Sequence, residues 1–171
     1  MKRLILVIVI AVFGVAAFAQ AKPGQFGIQG GFILTGLTNI TSGTDLGCKV
    51  WVTDAMALRA SLGLLSQSTA GTTTTGFTLG AGLEYHFAGK GSVSPYVGAE
   101  VGYSGVSVST GASTPSDVAV DAVFGGEYFL TSNFSWGGQL MLGVESYSPA
   151  VGSSTSYLYT AFATSLTWYL N

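Results

Sequence analysis

Nine polar side chains in this 171-residue chain could carry chemistry: Lys49, Arg59, Glu84, His86, Glu100, Asp121, Glu127, Gln139 and Glu145. Each falls on the polar row of a segment in which apolar and polar residues alternate. They therefore share one side of whatever those segments build. Two cations facing five carboxylates implies a buried ion network in which Lys49 and Arg59 are shared among the acids. Desolvated charges persist only when paired, and removing one partner of such a pair costs about 3–5 kcal/mol. The surplus of negative charge predicts that Glu84 or Glu127 either holds a proton or meets water. A second reading of the same residues is a narrow, gated conduit that prefers cations.

Catalysis would have to use His86, the single histidine. A hydrolytic site needs a nucleophile and a base within hydrogen-bonding reach. No Ser-x-His or His-x-Ser pair occurs in the chain, so His86 beside Glu84 reads as a hydrogen-bonding group rather than a base. No catalytic residue is assigned. Metal sites need converging His, Cys and carboxylate ligands; one His and one Cys on opposite faces do not provide them. Gly-x-Gly steps such as Gly80 and Gly82 have no helix after them to bind phosphate, so no cofactor is expected. Cys48 cannot form a disulfide within the chain and sits on the apolar row, where a thiol acts as a small hydrophobe.

The elements that must position these groups are strands. Between Thr75 and Phe87 the residues Phe77, Leu79, Ala81, Leu83, Tyr85 and Phe87 alternate with Gly76, Thr78, Gly80, Gly82, Glu84 and His86. A period of two is the signature of a strand with one greasy face. Seven further segments repeat it, near 25–35, 45–53, 56–66, 94–106, 117–129, 133–146 and 156–170. Only 8% of the residues are charged and 48% are hydrophobic, whereas soluble domains carry about 25% charge. Such a chain cannot cover a soluble exterior, which leaves the apolar rows for lipid. Open sheets do not survive in hydrocarbon, because their edges would hold unpaired backbone groups; closed barrels do. The chemistry of the polar rows would then lie inside. The fold class expected is all-β, a closed antiparallel eight-stranded up-and-down transmembrane barrel.

Three features agree with a barrel in a bacterial outer membrane. Lys2 and Arg3, the apolar stretch Leu4 to Val15, and Ala17-Phe18-Ala19 read as a secretory signal over 1–19, cut after Ala19 or, alternatively, after Ala21. The barrel would then occupy 20–171. Connections at Thr53-Asp54-Ala55, Gly89-Lys90-Gly91-Ser92 and Thr131-Ser132-Asn133 are short, while 36–44, 66–75, 107–116 and 147–155 are longer; membrane barrels show this asymmetry, with the short turns periplasmic. Aromatic residues gather toward the turn side, where a girdle of Phe26, Phe87, Tyr128, Phe134, Trp136 and Trp168 is expected at headgroup level. Trp51, Tyr96, Phe129 and Tyr169 are grouped with them on the same ground. Without Lys2 and Arg3 the chain keeps four basic and eight acidic residues, which argues against nucleic acid.

Leu83-Glu84-Tyr85-His86-Phe87 followed by Ser94-Pro95-Tyr96-Val97-Gly98-Ala99-Glu100-Val101-Gly102-Tyr103, and Gly126-Glu127-Tyr128-Phe129-Leu130-Thr131-Ser132-Asn133, resemble hairpins of the small eight-stranded barrels related to the transmembrane domain of outer-membrane protein A. Leu166, Trp168 and Leu170 are similar to a barrel-assembly signal, from which the final Asn171 departs. The resemblance implies a structural or surface-interacting, non-catalytic barrel, with weak permeability as a secondary trait. Implied partners are membrane lipid and lipopolysaccharide, the barrel-assembly machinery, and an extracellular partner met through the four long loops. Two alternatives remain open from the residues: a lipid A-modifying outer-membrane enzyme, and a soluble lipocalin-like carrier of an apolar ligand, in which the two faces would be reversed.

Overall fold

The structure, a computed structural model, describes residues 22–35, 43–69, 72–87, 92–108 and 115–170. The signal segment, part of each long connection except 147–155, most of the turn around Lys90 and Asn171 lie outside the described residues, as do the side chains of Phe32 and Leu34. Eight strands follow one another: β1 (Phe26–Thr35), β2 (Gly43–Trp51), β3 (Met56–Thr69), β4 (Thr72–His86), β5 (Val93–Val108), β6 (Ser116–Thr131), β7 (Phe134–Ser148) and β8 (Thr155–Leu170). Every strand is antiparallel to the next, and β8 returns to pair with β1 from Phe26↔Leu170 to Thr35↔Ala161, so the sheet closes. Closure removes both edges and satisfies the backbone within the wall.

Alternation survives as a division between outside and inside. Ile28, Leu58, Leu79, Val101, Val120, Leu140 and Phe162 stand exposed on the outer wall, and Lys49, Glu84, Asp121 and Glu127 are buried within. This is the opposite of the lipocalin arrangement. The strands outrun the expected bounds chiefly at the loop end. Nearly all of 66–75 is strand, because β3 and β4 pair without interruption out to Thr69↔Thr72. The stretch reads as loop by composition, yet Thr, half of its residues, is β-branched and suits strands well. Strands of 14–16 residues exceed the 9–11 that cross a bilayer, so the loop-side ends stand clear of the hydrocarbon.

The turn end is tightly finished. Thr53 Oγ1 accepts from the amides of Ala55 and Met56 at 3.2 and 3.0 Å, closing the β2–β3 turn. Gly24, at φ 84°, uses the left-handed region open to glycine and donates its amide to the Trp51 carbonyl at 2.7 Å. Two inward glycines make room for the interior. A Cβ at Gly82 would lie 3.1 Å from Arg59 Nε, and one at Gly125 would lie 2.5 Å from the Tyr96 ring. A side chain at Gly125 would collide with the Tyr96 ring where it lies, and one at Gly82 would press Arg59 by a few tenths of an ångström.

Candidate functional site: the lumenal polar network

The register assembles the network from strands distant in sequence. Lys49 stands opposite Arg59 across β2 and β3, His86 opposite Tyr96 across β4 and β5, and Glu100 opposite Asp121 across β5 and β6. At the turn end, Lys49 Nζ lies 2.7 Å from Glu84 Oε2 and 3.1 Å from Glu127 Oε2. Lys49, Glu84 and Glu127 are only 1–2% exposed. Glu127 Oε1 also accepts from the Tyr169 hydroxyl at 2.5 Å and from Ser135 Oγ. One layer toward the loops, Arg59 Nη1 donates to Glu84 Oε1 at 3.1 Å and to Gln139 Oε1 at 2.5 Å, and Nη2 pairs with Glu100. The Tyr96 hydroxyl donates to the same Gln139 oxygen at 3.0 Å. Two cations thus hold three carboxylates, and neutral donors fill most remaining acceptor positions, which is the condition for buried charge to persist.

Glu84 and Glu127, expected to carry the surplus negative charge, are therefore among the best-paired acids of the interior and are sealed from water. The surplus lies on the loop side instead, at Asp121, Glu145 and Asp117. Asp117 was missed by the sequence reading although its parity with Val118 places it inward; its Oδ2 accepts from Ser104 Oγ at 2.8 Å.

His86 has a partner that sequence proximity conceals. Its Nδ1 is 2.9 Å from Ser94 Oγ and its Nε2 is 2.9 Å from Glu84 Oε2. Ser94 lies across the β4–β5 turn, eight residues away, so a search for adjacent Ser and His could not find it. Ser–His–Glu is the connectivity of a hydrolase triad. Here, however, Ser94 is buried, the imidazole is packed between Trp51 and Tyr96 with ring centroids 4.3 and 4.9 Å away, and Glu84 is held by Lys49. A nucleophile must be reached by its substrate, and Ser94 is only 1% exposed.

The turn-side aromatics divide into two groups. Phe26, Tyr128, Trp136 and Trp168 are exposed on the outer wall, with Phe134 half-buried against Trp168 at 5.9 Å between ring centroids. The Trp136 indole N–H donates to Thr164 Oγ1 at 2.7 Å on that wall. Phe87 differs from the girdle expectation: it follows the last residue of β4, is 9% exposed and meets Tyr85 edge-on. Trp51, Tyr96, Phe129 and Tyr169 differ too, because all four point inward. Trp51, Ala57, Phe129 and Tyr169 form a buried apolar cluster across the turn end of the bore. Cys48 is a free thiol of intermediate burial. Among the described residues no three His, Cys, Asp or Glu side chains converge as a metal site.

The sequence of residues 5–167 matches the family described as the outer membrane protein beta-barrel domain. The chain belongs to that family. Solved barrels agree on the fold. The N-terminal barrel domain of Pseudomonas aeruginosa OprF is 14% identical over 88% of this chain and 100% of its own, with a TM-score of 0.51. OprG from Pseudomonas aeruginosa is 10% identical over 90% of this chain and all of its own, with a TM-score of 0.54. The outer membrane protein AlkL, solved in lipid bilayers, is 15% identical over 91% of this chain and 94% of its own, with a TM-score of 0.53. No curated protein sequence matches the chain significantly. As a member of an outer-membrane barrel family, the chain presents its apolar wall to lipid and its ion network to the lumen.

Proposed function

We propose that this protein is a non-catalytic integral barrel of the bacterial outer membrane with a structural or surface-interaction role. The observation that carries the reading is the turn-side half of the lumen. There Lys49, Arg59, Glu84 and Glu127 cross-brace four or more strands above an apolar plug. An eight-stranded barrel has an interior that side chains just fill, and the turn-side half of this one is filled by paired charges and an apolar plug rather than by a pathway. Solutes would cross only if the Arg59 layer opened, so permeability is at most weak.

Export under the 1–19 signal and insertion by the assembly machinery deliver the barrel. Lipid and lipopolysaccharide surround it, and Phe26, Tyr128, Phe134, Trp136 and Trp168 sit at the headgroup level of the turn side. An extracellular partner meets the connections over 36–44, 66–75, 107–116 and 147–155, where loops on a rigid scaffold are available for binding. Planar-bilayer recordings of the folded protein test the reading of the lumen: no unitary openings are expected, and regular openings would contradict it. Mass spectrometry of lipid A from cells with and without the protein tests the absence of catalysis. Identical lipid A is expected, and a lost or gained acyl chain that disappears with Ser94→Ala would establish the enzyme reading instead.

A further inference from the structure

The first and last strands contain no Asp, Glu, Lys, Arg or His. The ion pairs of the interior join β2 to β4 and β6, and β3 to β4 and β5. The brace therefore stops on either side of the seam where β1 meets β8. On its lumenal side that seam is held by uncharged groups: Gln29 Nε2 donates to Ser165 Oγ at 2.9 Å and to Thr167 Oγ1 at 3.3 Å. Tyr169 reaches further. It is the register partner of Gly27 across the seam, and its hydroxyl donates to Glu127 of β6 at 2.5 Å.

Tyr169 is fully buried and ties several parts of the barrel together. Its ring lies over Gly27, where a Cβ would come within 2.9 Å of Cδ1 and Cε1 and within 2.7 Å of the Thr167 methyl. The ring stacks on Phe129 of β6 at 5.8 Å between centroids and clusters with Trp51 of β2. The β6–β7 turn holds its backbone: the Tyr169 amide donates to the Asn133 carbonyl at 2.7 Å, and Asn133 Nδ2 donates to the Tyr169 carbonyl at 3.2 Å. Joining β1 to β8 closes a loop that takes in the whole barrel. The entropy lost in that closure is incurred before its contacts reward it, so whatever secures the seam controls the step.

We propose that Tyr169 is the closure latch of the barrel: by seating on Gly27 and bonding to Glu127, it locks the β1–β8 seam onto an ion brace that β2 to β7 build without either terminal strand. Lys49, Arg59, Glu84, Glu100, Glu127 and Gln139 all lie between β1 and β8 in the chain, so the brace can form while the sheet is still open. Closure then completes three things at one residue. Glu127, already met by Lys49 and Ser135, gains the Tyr169 hydroxyl. The ring covers a stretch of backbone that has no Cβ, and the apolar plug of Trp51 and Phe129 is filled. A residue placed in this way acts on the sealing of the sheet rather than on the formation of its strands.

The test follows the protein from urea into lipid vesicles in a Cys48→Ser background. Strand formation is read by circular dichroism, and the closed barrel by its mobility on gels without heating. Tyr169→Phe keeps the ring and loses the hydroxyl, whereas Gly27→Ala pushes the ring off its seat. Each is expected to delay the closed form at least about fivefold, with strand formation at the parent rate. A disulfide formed before folding by Gly31→Cys/Ser165→Cys joins register partners across the seam, with 3.5 Å between Cβ positions, within disulfide range. Because it removes the entropy of closure, it is expected to restore the parent rate in both variants. A disulfide away from the seam, Gly102→Cys/Ala119→Cys with 3.9 Å between Cβ positions, is expected to restore neither. Should Gly27→Ala give no closed barrel at all, recovery with the seam disulfide supports the latch and continued failure overturns it. Equal delay of strand formation and closure, no delay in either variant, or equal rescue by the two disulfides would each overturn the proposal as well.

Discussion

At the turn end of the lumen, Glu127 receives Lys49, Tyr169 and Ser135, while at the loop end Asp121, almost as deeply buried, is left with an oxygen that nothing donates to. Both are acids on inward positions of the same strand, β6, six residues apart. What separates them is the supply of cations: β2 and β3 bring Lys49 and Arg59 to the turn-side half, and no strand brings one to the other half. The turn-side half is consequently a brace whose members cannot be removed singly. The loop-side half is acidic and short of cations, and its members are expected to stabilise the fold little.

The largest effect should come from Lys49→Met. It leaves Glu84 and Glu127 without their shared cation, and breaking such a buried set costs about 3–5 kcal/mol. Urea unfolding of the barrel in lipid would measure it, and a loss under 1 kcal/mol would dissolve the distinction between the halves. Leu140→Arg tests the wall that encloses both. It should cost about 2–4 kcal/mol at the bilayer midplane, and a neutral result would mean that β7 faces lipid with its other row. Ser94→Ala removes one donor from the His86 relay; a loss of about 1–3 kcal/mol in the same unfolding assay is expected. At the loop end, Glu145→Gln should change stability by no more than about 0.5 kcal/mol in either direction.

The inward and outward rows were legible in the sequence, whereas the division of the lumen was not: Glu84 and Glu127, expected to carry the surplus charge, are the paired acids. Alternation placed Lys49, Arg59, Glu84, His86, Glu100, Asp121, Glu127, Gln139 and Glu145 on inward rows, because a one-residue slip would turn an entire strand inside out. The same parity puts Trp51 inward beside outward Val50 and Val52, and Tyr169 inward between Trp168 and Leu170. Grouping them in a headgroup belt weighed position along the axis above the row they occupy. The row is the stronger constraint, since a side chain cannot change faces without breaking register. Which acid meets which cation was not legible. Pairing depends on shear around the closed sheet, and that brings Lys49 to Glu127, 78 residues away. Ser94 escaped for a similar reason: a turn folds it back onto His86, and its spacing in the chain says nothing of that.

The most direct test compares two substitutions of the same kind, Glu127→Gln and Asp121→Asn, by reversible unfolding in one lipid. Each exchanges a buried carboxylate for an amide of nearly equal size on the same strand. Glu127→Gln should destabilise the barrel on the order of 3 kcal/mol, while Asp121→Asn should leave it unchanged or more stable. Equal losses at the two positions, or a greater loss at Asp121, would contradict the division of the lumen into a satisfied half and an unsatisfied one.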